Sequence, residues 1–69
     1  MEEFLTMVQS VNPNFKLEDL DKPFNIAGIE SMDLVVLRVS FEKKFGRVVP
    51  TSTWLNFTTI LQIIEFYKT

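Results

Sequence analysis

The chain has 69 residues, a formal net charge of −2, and neither cysteine nor histidine. This excludes disulfides and metal sites built on thiolate or imidazole ligands, so one small domain must rely on efficient packing alone. The acidic balance argues against nucleic-acid binding. No segment approaches the ~18 apolar residues of a membrane span, and no signal-peptide core begins the chain. These three observations together favour a cytoplasmic protein.

The first predicted helix covers residues 2–11, where apolar residues recur at spacings of three and four from Phe4 to Val11. It ends before Pro13, which disfavours helical geometry in the residue ahead of it. Residues 12–30 then form a connection that is longer than most loops of compact domains, so we expect it to contain short turns and apolar anchors. The expected anchors are Phe15, Leu17, Leu20, Phe24 and Ile26.

The main predicted helix covers residues 31–45. Ser31 suits the N-cap, lysines occupy the last turn, and Gly46 suits the C-terminal cap. The β-branched valines within the segment lower its helix propensity slightly, but the length and the matched end residues outweigh them. This is the longest helix that the sequence predicts.

Two shorter helices follow the main one. Residues 51–57 predict a short helix that is capped by Thr51 or Ser52. Either Thr58 or Thr59 then caps a last helix, in which isoleucines recur at helical spacing. The predicted fold is an all-α four-helix bundle, with three main helices, one short helix, and a long loop between the first two.

The main helix carries more apolar residues than one core face requires. At ~100° per residue they fall on two sides. The core stripe consists of Leu34, Leu37, Phe41 and Phe45, and the outer stripe consists of Met32, Val35, Val36 and Val39. A small bundle rarely buries both sides, so the outer stripe is either an exposed partner site or, if the helix is central, a second buried face.

Charged residues border the outer stripe at both ends. Glu30 and Asp33 lie near its start, and Glu42 and Lys43 lie near its end. A charged rim around an apolar strip is a common layout of protein interfaces. Charges that are merely solvated would give the same pattern, so the sequence leaves both interpretations open.

Ser31 has two interpretations from the residues alone. It can cap the helix by accepting a hydrogen bond from a backbone N–H of the first turn. It can also be modified by another enzyme, since a phosphate attached at a helix start would lie beside free N–H groups. Ser31 is poorly equipped as a hydrolytic nucleophile because the chain has no histidine base and no Ser-x-x-Lys motif.

The stretch GIESMDLVVLRVSFEKKFG, followed by VVP, resembles the acyl carrier proteins and their peptidyl carrier relatives. The shared features are a glycine before the serine, an acid after it, a Glu-x-x-Phe ending of the helix and a proline beyond. Downstream, FTTILQIIEF resembles the last helix of the family. The matching positions are Gly28, Ser31, Asp33, residues 42–45 and Pro50.

The resemblance implies one carrier domain over residues 1–69, in which Ser31 holds 4′-phosphopantetheine from coenzyme A as a phosphodiester. The thiol of that arm would carry acyl groups as thioesters, which accounts for a chain without cysteine. The protein would not be an enzyme. It would act as a monomer and serve a phosphopantetheinyl transferase and acyl-loading and acyl-processing enzymes, which would recognise the outer stripe and its charged rim.

Several residues depart from the family pattern. Val36 stands where many fatty-acid carriers have an acid, Lys43 and Lys44 replace acids, and Arg38 stands where a small apolar residue often lines the acyl pocket. These departures favour polyketide or other specialised biosynthesis, ahead of fatty-acid or lipid synthesis and of a peptidyl or aminoacyl carrier. The alternative from another class is a helical interaction module in which Ser31 only caps a helix.

Overall fold

Four helices and one 3₁₀ turn follow each other along residues 2–68, the part of the chain that the computed structural model describes. No strand occurs among these residues. The all-α four-helix prediction, with a long loop between the first two helices, is confirmed. The elements are α1 (Glu2–Gln9), the 3₁₀ turn (Leu17–Asp19), α2 (Ser31–Phe45), α3 (Thr51–Asn56) and α4 (Ile60–Lys68).

The ends of α1 and α2 test the predicted helix boundaries. α1 ends at Gln9 and not at the predicted Val11, because the chain enters a turn in which the Ser10 N–H donates to both Thr6 O and Met7 O. α2 has the predicted bounds. Gly46 caps it with φ 63°, a left-handed conformation that glycine adopts without a steric penalty.

The two C-terminal helices begin differently. α3 ends one residue before the predicted boundary, and Pro50, not Thr51 or Ser52, occupies its N-cap position. The fixed φ of proline suits a helix start even though proline offers no side-chain cap. Thr59 caps α4, since its Oγ1 accepts from the Gln62 N–H at 3.2 Å while Gln62 Oε1 accepts from the Thr59 N–H at 3.3 Å.

The core is formed by α1, the long loop, α2, α4 and Val49, which lies between α2 and α3. The core stripe of α2 is confirmed, because Leu37 and Phe41 are buried and Leu34 and Phe45 are half-buried against the same cluster. Burial of these side chains is the main favourable term for a fold of this size. The buried hydrophobic residues are Phe4, Val8, Phe15, Ala27, Ile29, Leu37, Phe41, Val49, Ile60, Ile63 and Ile64.

The long loop is anchored only partly as predicted. Phe15 is buried, and Leu20 and Phe24 pack against the core. Leu17 and Ile26 are wrong as anchors, since they are 56% and 66% exposed. The backbone hydrogen bonds of each turn, and not the spacing of apolar residues, decide which side chains point inward in such a segment.

A local charge pair closes the middle of the loop. Asp19 Oδ2 accepts from the Lys16 N–H at 3.0 Å, and Lys22 Nζ donates to Asp19 Oδ1 at 2.9 Å. The bond from Lys22, assisted by that from Lys16, lowers the pKa of Asp19, and the bond to Asp19 raises the pKa of Lys22. These contacts stabilise the 3₁₀ turn locally.

Aromatic rings join α1, α2 and α4 near the C-terminal end of α2. Phe4 stacks on Phe45 with ring centroids 5.0 Å apart, and Phe41 lies 5.8 Å from the Tyr67 ring. The Tyr67 hydroxyl donates to Arg47 O at 3.2 Å, and partial burial raises its pKa. Aromatic pairs at such distances stabilise beyond their buried area, so this end of the bundle is firmly packed.

Replacing Phe41 by alanine tests the assignment of the core stripe. Because Phe41 is fully buried among aromatic rings, we expect Phe41→Ala to lower the free energy of unfolding by about 3–5 kcal/mol. Urea unfolding followed by circular dichroism measures the change. The control is Val36→Ala on the exposed side of α2, for which we expect a change within about 0.5 kcal/mol. Equal losses for the two variants would contradict the assignment.

Candidate functional site

The start of α2 places Ser31 one position beyond the cap. Glu30, with φ −92° and ψ 167°, occupies the N-cap position, so the prediction that Ser31 is the N-cap is wrong. The Glu30 N–H donates to Asp33 Oδ2 at 3.0 Å, which is how an acid three residues after the cap secures a helix start. Ser31 is exposed, and its hydroxyl makes no hydrogen bond within residues 2–68.

The residues that lead into Ser31 are held by a side chain from the turn that follows α1. Asn12 Nδ2 donates to both Ala27 O and Gly28 O at 3.3 Å. Gly28 has φ 79°, and a Cβ atom there would lie 3.0 Å from Asn12 Nδ2, so this approach needs glycine. The buried side chain of Ile29 fixes the next residue.

Sequence reasoning missed both Asn12 and Ile29 as supports of this site. Asn12 was expected only to begin the long connection, and Ile29 was not among the predicted anchors. The sequence signal for Ile29 is the alternation of the apolar Ala27 and Ile29 around Gly28, because alternate residues of an extended segment point to the same side.

The outer stripe of α2 is exposed. Met32, Val35, Val36 and Val39 are 71%, 59%, 48% and 51% exposed. These fractions resolve the choice that periodicity left open, because α2 is not buried on all sides. Four adjacent exposed apolar side chains form a patch of the kind that often marks a partner surface. Their role in partner binding remains a prediction.

The four charged rim residues have different surroundings. Glu30 and Lys43 are exposed, and Asp33 is half-buried with its carboxylate accepting from the Glu30 N–H. Glu30 and Asp33 lie beside Ser31, whereas Lys43 lies twelve residues along the helix, about 18 Å away. Glu42 is half-buried and accepts from the Val49 N–H at 3.1 Å, so it ties the chain beyond α2 back to the helix.

Arg38 holds α3 against α2. Its Nη2 donates to Val49 O at 2.9 Å and to Thr51 Oγ1 at 3.3 Å, and its Nε lies 3.4 Å from Glu42 Oε2. The guanidinium carbon lies 5.5 Å from the centre of the Trp54 ring, in a cation–π arrangement. A half-buried arginine with this many partners is a structural link between the two helices.

Several kinds of site do not occur in the described part of the chain. Residues 2–68 contain no cluster of acidic side chains that could hold a metal ion, and they enclose no pocket. No helix in this range has the length and apolar run that a bilayer crossing requires. Near the start of α2, the exposed hydroxyl of Ser31 lies between Glu30 and the outer stripe.

Comparison with known families identifies the class of this protein. The family model for a phosphopantetheine attachment site matches residues 3–67 of the 69-residue chain. The chain belongs to this family, and it is a carrier whose 4′-phosphopantetheine is covalently attached. Such a carrier serves a phosphopantetheinyl transferase and biosynthetic enzymes. No curated protein and no solved structure matches the chain.

Replacing Asn12 by aspartate tests the support of the loop before Ser31. Aspartate keeps the Oδ1 that accepts from the Asn14 N–H, but it cannot donate to Ala27 O or Gly28 O. We expect Asn12→Asp to cost about 1–2 kcal/mol of stability and to accelerate hydrogen exchange at the Ile29 amide.

The control for this variant is Asn14→Asp, which adds the same charge two residues away on an exposed side chain. Amide exchange monitored by NMR and urea unfolding are the two measurements. We expect Asn14→Asp to change stability by less than about 0.5 kcal/mol and to leave the Ile29 amide protected. The same exchange rate at Ile29 in both variants and in the wild type would show that Asn12 does not hold the loop.

Proposed function

We propose that this protein is an acyl carrier protein, that residues 1–69 form one carrier domain, and that Ser31 is the attachment point of the arm. The observation that carries the proposal is an exposed serine at the first position of the long helix α2, with a hydroxyl that has no partner among residues 2–68. Ser10 differs, because its hydroxyl donates to Met7 O at 2.6 Å. Ser40 also differs, since it is half-buried in mid-helix.

The surroundings of Ser31 suit a phosphodiester. Attachment forms one bond between the serine Oγ and phosphorus, breaks the phosphoanhydride bond of coenzyme A, and releases adenosine 3′,5′-diphosphate and the hydroxyl proton. The first-turn N–H groups and the helix dipole of α2 favour a phosphate there. Glu30 and Asp33 disfavour a second negative charge, and a diester carries only one.

The arm supplies a terminal thiol, and the protein supplies the place where that thiol is presented. We infer that the chain itself catalyses no reaction, because the titratable side chains nearest to Ser31 in sequence are two acids, of which Asp33 already accepts from the Glu30 N–H. We further propose that the carrier acts as a monomer in the cytoplasm. Its charge and its lack of cysteine suit that compartment.

The partner-facing side of α2 supports a specialised pathway. Val36 and Val39 make the outer stripe apolar, and the exposed Lys43 adds a positive charge near its end. We propose polyketide or other specialised biosynthesis first, fatty-acid or lipid synthesis second, and a peptidyl or aminoacyl carrier third. Glu30, Met32, Asp33, Val35, Val36, Val39, Glu42 and Lys43 are the proposed partner-binding residues.

Incubation with coenzyme A and a broad-specificity phosphopantetheinyl transferase tests the attachment site. We expect the intact mass to rise by one arm, and we expect tandem mass spectrometry to place the arm on Ser31. Ser31→Ala should gain nothing, whereas the control Ser52→Ala, which removes another exposed serine, should be modified like the wild type. An unchanged mass of the folded wild type would favour an interaction module over a carrier.

Introducing a charge into the outer stripe tests the partner surface. We expect Val39→Glu to lower kcat/KM for arm transfer about tenfold, because it buries an unpaired acid in an apolar contact, and to change the melting temperature little. The control is Val48→Glu, which adds the same charge at an exposed position outside α2. Unfolding of Val39→Glu would show that the outer stripe is core.

A further inference from the structure

A charged side chain fills the interface between α2 and α3. The guanidinium of Arg38 donates from Nη2 to Val49 O at 2.9 Å and to Thr51 Oγ1 at 3.3 Å. Its carbon lies 5.5 Å from the centre of the Trp54 ring, and its Nε lies 3.4 Å from Glu42 Oε2. The α2–α3 interface, defined by these five residues, is therefore closed by a cation that is fixed on several sides.

Arg38 lies on the same side of α2 as Ser31. Ser31, Leu34 and Arg38 are separated by three and four residues, so they form one row along the helix over two turns, about 10 Å. Leu34 is half-buried and packs against the core. A flexible group that starts at Ser31 and follows this row towards the core passes Leu34 and then meets the guanidinium.

Entry of an apolar chain at this point would break contacts that the chain could not replace. Val49 is fully buried, so its carbonyl oxygen would lose the donor from Arg38 in surroundings that water does not reach. The guanidinium would exchange hydrogen bonds and water for apolar contacts, which is unfavourable for a charged group. Residues 2–68 enclose no pocket that could receive the chain instead.

We infer that Arg38 restricts the cargo of this carrier, because it closes the α2–α3 interface to apolar acyl chains. This inference rests on the proposed function and names the class of cargo, which is acyl groups that are short or polar and that stay in water between enzymes. A long alkyl chain gains free energy from each CH2 group that leaves water. Here that gain is offset by the bonds of the guanidinium that entry would break.

Two acyl groups of different length test the inference. A broad-specificity phosphopantetheinyl transferase and the matching acyl-coenzyme A attach an acetyl arm or an octanoyl arm to Ser31. The rate of thioester cleavage by hydroxylamine is measured for each product. It is divided by the rate for the same acyl group on free pantetheine, which removes the intrinsic difference between the two thioesters.

In the wild type we expect the two normalised rates to agree within about twofold, because both acyl groups remain in water. Trp54 is the one tryptophan of the chain and lies at the α2–α3 interface, so its fluorescence gives a second readout. We expect the same emission spectrum with either acyl group. A normalised octanoyl rate about fivefold or more below the acetyl rate would show that the chain is buried and would overturn the inference.

Removing the guanidinium tests whether Arg38 is responsible. Arg38→Met keeps an unbranched side chain that favours a helix but carries no charge. In this variant we expect the normalised octanoyl rate to fall about fivefold below the acetyl rate, and the emission of Trp54 to shift. The octanoyl group should also raise the melting temperature, because a chain bound to the folded state stabilises it.

Two controls accompany this variant. Arg38→Lys keeps a cation in the interface, and Lys44→Met places the same apolar side chain at an exposed position of α2. We expect both to show no dependence on chain length, like the wild type. Circular dichroism monitors folding, and Arg38→Gln, which also removes the charge, replaces Arg38→Met if that variant loses helicity.

The outcomes separate the inference from the proposed function. Equal normalised rates for acetyl and octanoyl in folded Arg38→Met would show that Arg38 does not close the interface, and would overturn the inference while Ser31 still carries an arm. The comparison in the wild type needs no variant, so it holds whether or not a substitution is tolerated. A wild type that gains no arm would overturn the proposed function, and the inference with it.

Discussion

The structure depends on the burial of only one of the two apolar sides of α2. Leu37 and Phe41 are buried, and the Phe41 ring lies against Phe4 of α1 and Tyr67 of α4. A chain of 69 residues has too few elements to cover the second side as well. The outer stripe is exposed because the other segments of the bundle pack against the core stripe.

The contacts that stabilise the fold are concentrated at one end of α2, and Ser31 lies at the other end. The tight aromatic packing lies at the C-terminal end of α2, where the Tyr67 hydroxyl also donates to Arg47 O. The N-terminal end of α2 is held by fewer contacts, chiefly the two hydrogen bonds from Asn12 and the buried side chain of Ile29. A substitution on the exposed side of α2 therefore leaves in place the contacts that maintain the fold.

Local patterns predicted the helices well and the connections poorly. The bounds of α2, its cap at Gly46 and the cap at Thr59 follow from neighbouring residues, which the sequence displays directly. The N-cap of α2 was not predicted, because serine is a preferred cap residue and glutamate is not. In the structure Glu30 occupies that position, and Asp33 secures the helix start by accepting from the Glu30 N–H. The misplaced anchors in the loop and the half-buried position of Glu42 depend on contacts between distant segments, which no local pattern contains.

The chain contains neither cysteine nor histidine, and its family carries a reactive thiol on a covalent arm. The arm is flexible, so its anchor can be rigid. The surroundings of Ser31 suit such an anchor, since Gly28 lets the loop approach Asn12 closely and Asp33 fixes the first turn of α2. In the proposed function, the arm supplies the chemistry, and the exposed side chains of α2 supply the surface that partner enzymes recognise.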